Sequence, residues 1–260
     1  MKRIVVASYK KSGATWFRFL VYGAEKGLPK SSFEIDQFYP HDDSKYVWPV
    51  NTKRSFLKTH CKYESNRLTL TDNEGSILIV RNPLDILFSW LSHKRINGCL
   101  IYKSHNVAGQ FSMMNEELEK MYSHYNSWKD QASIIIKYED MLKDIRGTLN
   151  KVNNKLFLDW SEKDIDNAIA SGKKERMAQI EEYEIKNKIT EGFFYELRKA
   201  DPYINRGERF IGGNRRKEDL ELFLDKFKNT FFDLFTPLAK ELDYDLESII
   251  EENKKRVGLA

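Results

Sequence analysis

Apolar residues fall along this chain in two rhythms. Short unbroken runs stand at 3–8 (Arg-Ile-Val-Val-Ala-Ser), 55–59 (Ser-Phe-Leu-Lys-Thr), 76–80 (Ser-Ile-Leu-Ile-Val) and 133–137 (Ser-Ile-Ile-Ile-Lys). Runs this short, without alternation, predict strands covered on both faces, as in a parallel sheet. Elsewhere the apolar positions spread to helical spacing. Helices are predicted over 15–26, stopping at Gly27 with Pro29 beyond, and over 83–95, with Asn82 as N-cap and Pro83 at the first helical position. Two more are predicted over 112–129, beginning at Ser112, and over 139–158. Ser161-Glu162-Lys163-Asp164 reads as a capping box opening a further helix, and the tail is helical over 216–241 and 245–256. Strands alternating with helices predict an α/β fold with a central, mostly parallel sheet flanked by helices. No repeat, low-complexity segment or linker interrupts the chain, so a single domain over 1–260 is expected. The least periodic stretches, 39–54, 96–111 and 178–214, are the expected loops or lids around a site.

Composition narrows the class. The 260 residues, 41% hydrophobic and 32% charged, suffice for one α/β domain with its own core. No apolar run approaches the ~18 residues of a membrane helix. Met1-Lys2-Arg3 leads straight into a strand pattern with no small-residue cleavage site, so no secretory signal is expected. The two cysteines, Cys61 and Cys99, are too few for a disulfide framework or zinc cluster and fit a reducing cytoplasm. A net charge of +4 does not suggest bulk nucleic-acid binding, but its distribution is uneven. Residues 205–217 carry Arg206, Arg209, Arg215, Arg216 and Lys217 against Glu208 alone, a net +4 that equals the whole chain's. Such a run is ordinarily a solvated loop; with Gly207, Gly212 and Gly213 interleaved it is also a candidate anion-binding flap.

The first strand runs into Tyr9-Lys10-Lys11-Ser12-Gly13-Ala14-Thr15-Trp16 and then a helix. A strand–loop–helix of this kind gathers backbone N–H groups and a helix N-terminus around a phosphate or sulfate. It is not a Walker A loop, whose lysine follows the last glycine; here Lys11 precedes Gly13. Ligands of open parallel sheets bind beyond the carboxyl ends of the strands. Those ends carry Lys10 and Lys11, then Lys58-Thr59-His60, then Arg81-Asn82-Pro83, then Tyr138-Glu139-Asp140. Taken singly, each has an ordinary reading: a solvated lysine, a surface histidine, a capping arginine, a helix start. Together they describe a site for an anionic nucleotide-like ligand with a titratable base beside it. No carboxylate cluster of metal-ligand spacing joins them.

In that combination the chain resembles the sulfotransferases that use 3′-phosphoadenosine 5′-phosphosulfate (PAPS). Their first loop reads Tyr-Pro-Lys-Ser-Gly-Thr-Thr-Trp, against Tyr9 to Trp16 here, with departures at Lys10 and Ala14. Their Lys-Thr-His is matched by Lys58-Thr59-His60. Their Arg-Asn-Pro-x-Asp with a following serine is matched by Arg81-Asn82-Pro83-Leu84-Asp85 and Ser89. Their Tyr-Glu-Asp-Leu/Met is matched by Tyr138-Glu139-Asp140-Met141. The matches keep the family's order over residues 1–141. The family's Arg-Lys-Gly-x-x-Gly-Asp-Trp survives only as Asn205-Arg206-Gly207, and its Ser-Phe-x-x-Met is faintly echoed between Ser171 and Met177.

The resemblance implies in-line sulfuryl transfer from PAPS to a hydroxyl or amine, leaving adenosine 3′,5′-bisphosphate (PAP), with no metal required. It implies that His60 is the general base, that Lys11 stabilises the leaving phosphate and that Lys58 steadies the sulfuryl oxygens. Lys11, Ser12, Gly13, Ala14 and Thr15 would hold the 5′-phosphosulfate. Arg81, Ser89, Arg206 and Gly207 would hold the 3′-phosphate, and Trp16 and Tyr138 would pack at the adenine. The expected member is cytoplasmic, of a bacterial type, and acts on a small-molecule, glycan or natural-product acceptor rather than a nucleic acid. Tyr39, Tyr46, Trp48, Tyr102, Phe193, Phe194 and Tyr195 in the three aperiodic stretches, with Phe38 just before the first, suit either an acceptor pocket or a lid's own packing. Two other readings stand beside it. One is a silent nucleotide- or partner-binding module on the same fold, suggested by the altered flap. The other is a kinase with an atypical phosphate loop, which would need ATP and Mg²⁺.

Overall fold

Strands form where the short apolar runs stand. In the computed structural model, which describes residues 2–40, 54–63, 74–96, 107–194 and 217–259, they are β1 (Lys2–Ser8), β2 (Arg54–Thr59), β3 (Glu74–Val80) and β4 (Ile134–Lys137). All pair in parallel, in the order β2-β1-β3-β4. The register sets Val6 beside both Lys58 and Ile77, and Val80 beside Lys137. β1 is central, and its Ile4, Val5, Val6 and Ala7 are wholly buried, which explains a run with no polar alternation.

The helices are α1 (Ala14–Lys26), α2 (Ser32–Phe38), α3 (Pro83–Ile96), α4 (Val107–Trp128), α5 (Tyr138–Lys143), α6 (Ile145–Leu156), α7 (Glu162–Ser171) and α8 (Lys174–Lys186). The tail supplies α9 (Lys217–Lys226), α10 (Lys228–Leu242) and α11 (Leu246–Val257). The expected stop of α1 at Gly27 and the capping box of α7 are both present.

Several expectations need correction. The helix expected over 139–158 is two helices, broken at Asp144, whose carboxylate leaves the helical path to accept the Gly147 N–H (2.8 Å) and cap α6. The tail helix expected over 216–241 breaks at Phe227, whose side chain is fully buried. α4 starts at Val107, inside the stretch 96–111 expected to be loop, and α8 occupies the front of 178–214 as far as Lys186. α2 was not expected: Ser31 caps it by accepting the Glu34 N–H, and Glu184 of α8 receives the Ser32 N–H and hydroxyl (2.6 and 2.9 Å).

The chain divides into two compact units, 1–80 with 127–200, and 81–126 with 201–260. The first holds the sheet. Its core joins Ile4, Val6, Phe56, Ile77 and Ile79 of the strands to Phe17, Leu20 and Val21 of α1 and to Leu149, Val152 and Ile165 of α6 and α7. α1 lies along α7, where the buried Ser171 hydroxyl donates to the Phe19 carbonyl (2.7 Å). Ser171, the first residue of the faint Ser-Phe-x-x-Met echo, thus makes a helix-packing contact. In the second unit Phe223, Phe231 and Phe235 stack in series (5.3 and 5.2 Å between centroids) with Phe88 against Phe223 (6.1 Å).

Candidate active site

β1 ends at Ser8, and the next five residues turn the chain into α1. Two of them take left-handed backbone angles, Lys11 (φ 68) and Gly13 (φ 102). Gly13 is required twice over. A side chain is strained at that φ, and a Cβ there would stand 2.5 Å from Cδ2 of the Tyr138 ring. Gly13 is the N-cap of α1 yet offers no side-chain acceptor, and the first turn holds no acid. The helix thus presents its opening N–H groups and positive end without internal compensation. Beside them the Ser12 hydroxyl is buried with no hydrogen-bond partner among the described residues. A buried orphan hydroxyl next to an uncapped helix start fits a phosphate or sulfate oxygen.

Trp16 and Tyr138 meet edge to face (5.5 Å), and the Trp16 indole N–H donates to the Gly172 carbonyl (2.7 Å). Both are half-buried against the core, so the two aromatics expected at the adenine are brought together beside the loop.

The turn after β2 carries the base candidate. His60 Nδ1–H donates to the Ser8 carbonyl at 2.7 Å, across the β1–β2 pair. A carbonyl can only accept, so Nδ1 bears the proton and Nε2 of the neutral ring bears the lone pair. The turn itself is pinned by Trp128, whose indole donates to the Cys61 carbonyl (2.9 Å), and by Ser127, which accepts the Tyr63 N–H (3.0 Å).

Lys58 shares the face of β2 that carries Phe56, two residues before it. Its N–H donates to the Pro40 carbonyl (2.9 Å). Burial, then the cations of Arg18 and Lys11, bring its ammonium down to about 7, with Asp36 pulling the other way. Arg18 was missed by sequence reasoning. It is 2% exposed, bonds Asp36 and the Tyr39 carbonyl, and lies over the Phe193 and Tyr39 rings (5.0 and 5.5 Å). The only hint was an arginine inside the apolar run Phe17 to Val21. Tyr39 and Phe194, expected in an acceptor pocket or lid, are almost wholly buried, and Phe38 packs on Phe56 (5.9 Å).

Arg81 and Ser89 belong to the second unit. Asn82 caps α3 as expected, its side-chain oxygen accepting the N–H groups of Leu84 (2.9 Å) and Asp85 (3.2 Å). Asp85 and Ser89, four residues apart, share one face of α3, and Arg81 reaches Asp85 at 3.5 Å. Arg206 and Gly207, with Tyr46, Trp48, Tyr102 and Tyr195, lie outside the described residues. Among the described residues no helix is long and apolar enough to cross a membrane.

A family model described as a sulfotransferase domain matches residues 1–208. The amine sulfotransferase of Oryctolagus cuniculus is 23% identical over 195 residues, 68% of this chain and 63% of that protein. Sulfotransferase 2A6 of Mus musculus is 24% identical over 167 residues, 57% of each. The chain thus spans less than two thirds of the length of these relatives. Among solved structures, retinol dehydratase in complex with retinol and PAP superposes with a TM-score of 0.63 at 20% identity, over 94% of this chain and 82% of that one. Mouse sulfotransferase SULT7A1 complexed with PAP gives 0.51 at 21% identity, over 88% and 85%. At these identities the likeness to solved structures is one of fold.

Proposed function

Because the chain belongs to the family of sulfotransferase domains, we propose that it transfers a sulfuryl group from PAPS to a hydroxyl or amine of a small acceptor. When bound, PAPS supplies a sulfuryl group already activated by its phosphate leaving group. The chain's own residues supply binding, charge and a proton acceptor. The observation that carries the reading is the first loop, an uncapped helix start with the orphaned, buried Ser12 hydroxyl, one residue after Lys11.

In this reading the N–H groups from Gly13 to Thr15, the Ser12 hydroxyl and the Lys11 ammonium hold the 5′-phosphosulfate end, the Ser12 N–H being already donated to the Tyr9 carbonyl (3.2 Å). The backbone donors are fixed by the fold before ligand arrives, so they spend no reorganisation when charge develops on the phosphate. Lys58 adds a second cation in the same unit, its charge favoured by any anion bound beside it. His60 takes the acceptor's proton at Nε2, the nitrogen left basic by the Ser8 contact. Arg81 and Ser89 hold the 3′-phosphate, arginine being suited to bidentate contacts with it, and the resemblance assigns Arg206 and Gly207 to the same group. Trp16 and Tyr138 offer their rings to the adenine. The acceptor's class is a small molecule, in keeping with the retinol and androsterone of the structurally similar complexes.

The test begins with calorimetric titration by PAP without metal, alongside ATP with Mg²⁺. Tight binding of PAP alone is expected. Binding only of ATP with Mg²⁺ would replace this reading with a kinase. Turnover with PAPS should then fall at least ~10²-fold in Lys11→Ala and in His60→Ala. Unchanged turnover in His60→Ala removes the base assignment, and PAP binding without transfer to any acceptor in a broad screen favours a silent nucleotide-binding module.

A further inference from the structure

Arg18 stands on α1 between Phe17 and Phe19, one turn past the start of the helix, and is 2% exposed. A buried ion pair is often no better for stability than apolar side chains of similar volume, so packing alone does not call for a guanidinium here. Its hydrogen bonds run to one short piece of chain. Nη2 donates to Asp36 of α2 and to the Tyr39 carbonyl. The next carbonyl, that of Pro40, accepts the Lys58 N–H of β2 (2.9 Å). The Tyr39 ring lies beside the guanidinium (5.5 Å) and against Phe56 (5.7 Å), which shares the Lys58 face of β2. Arg18 and Lys58 thus hold adjacent carbonyls of the same segment, one by its side chain and the other by its main chain.

The Arg18–Asp36 pair is lopsided. The cation is buried, and its Nε has no hydrogen-bond partner among the described residues, whereas the Asp36 side chain is 28% exposed. Water screens the carboxylate more than the guanidinium, so the two fields do not cancel at a neighbouring group. The charged groups acting on Lys58 are Arg18 of α1, Asp36 of α2 and Lys11 of the loop; the Tyr39 phenol, pushed well up by burial, stays neutral. After burial itself, Arg18 is the largest influence against the Lys58 charge, and Asp36 favours it. We propose that Arg18 and Asp36 are a positioning pair for Lys58: the guanidinium fixes the segment on which Lys58 rests, and the opposed fields of the two groups set the charge that Lys58 presents to the nucleotide. The inference rests on the reading of Lys58 as a cation of the nucleotide site and adds to it two residues outside the matched motifs.

The experiment titrates the full chain with PAP from about pH 6 to about pH 9, reading proton uptake from buffers of different ionisation enthalpy. Wild type, Arg18→Met, Asp36→Asn and the double variant are compared, and subtracting Lys58→Met leaves the uptake that belongs to Lys58. The expected result is an onset of uptake about half a pH unit or more higher in Arg18→Met, and about as much lower in Asp36→Asn. The double variant should return to within about 0.3 of a pH unit of wild type, because both fields are gone. Onsets that stay with wild type in both single variants, or move the same way in both, overturn the proposal, since loosening a merely structural clamp carries no sign. Urea unfolding reports whether each variant is folded. If Arg18→Met does not fold, Asp36→Asn still decides: a lower onset supports the pair, and an unchanged or higher one overturns it. A wild type whose uptake equals that of Lys58→Met removes the Lys58 reading itself, and the inference with it.

Discussion

Nucleotide binding should draw a proton onto Lys58. Burial, Arg18 and Lys11 push its ammonium down to about 7, against an ordinary value of 10.5. Between those values the unfolded chain holds the proton and the folded chain does not, so stability from this residue rises with pH across that window. Below pH 7 both states carry the charge and the cost of burying it is present in full. A phosphate beside Lys58 favours its charged form, offsetting the neighbouring cations and part of the cost of burial, and so raises the ammonium toward its ordinary range. Above pH 7 the uncomplexed lysine is largely deprotonated and the complexed one regains charge, so each PAP bound takes up a fraction of a proton, at most one. The affinity falls by up to about tenfold per pH unit above pH 7, in step with that uptake. The ligand's own phosphates, with second ionisations near 6, are already doubly charged there. Calorimetric titration in buffers of different ionisation enthalpy reads the proton count as a slope. Lys58→Met should abolish it. A slope of zero in wild type, or one that survives in Lys58→Met, refutes the account of Lys58 as a cation suppressed by burial and its neighbours.

Two further perturbations are expected to separate the loop from the scaffold. Gly13→Ala forces a side chain to φ 102 and drives its Cβ to 2.5 Å from the Tyr138 ring, costing about 1–3 kcal/mol of local strain. It should weaken PAP binding at least ~10-fold in calorimetry, and wild-type affinity in this variant would show that the loop's backbone does not hold the anion. Glu184→Ala strips the buried Ser32 N–H and hydroxyl of the carboxylate that fixes α2 to α8. Bonds to a buried carboxylate of this kind contribute ~1.5–3 kcal/mol each at most, so urea unfolding should show a loss of about 2 kcal/mol or more. A loss under ~0.5 kcal/mol would mean that Ser32 finds another partner.

The sheet was legible because burial on both faces leaves a parallel strand no polar positions, and such runs are short enough to bound. Each of the four observed strands lies within two residues of its expected limits. The helix ends marked by local chemistry were equally legible: Gly27, Asn82 with Pro83, and Ser161 with Asp164. The helices α2 and α8 were not. α2 is seven residues long, too short to stand by its own propensity, and its start depends on Glu184 far along the chain. α8 was lost because its apolar positions are sparse, with Glu181 and Glu184 buried where a helix face would ordinarily be aliphatic. Asp144 was read as part of a helix because capping and helical aspartates look alike until the neighbouring carbonyls and N–H groups are counted.

The site divides along the same line. Residues that would touch the ligand sit next to a strand end, so that position in the chain gives position in space: Lys11 after β1, Lys58 and His60 at and after β2, Arg81 after β3 and Tyr138 after β4. Residues that set the state of those groups come from elsewhere. The Ser8 carbonyl that fixes the His60 tautomer lies 52 residues away, and Asp36, which answers the buried Arg18 next to Lys58, lies 18 away from that arginine. Arg256, which shares Asp85 with Arg81, lies 171 residues from Asp85. A proton's location and a lysine's charge are properties of such pairs rather than of single positions. Substitutions in this second group should therefore leave each motif intact while changing a pH profile or a nucleotide preference. Substitutions in the first group should act on binding or turnover directly.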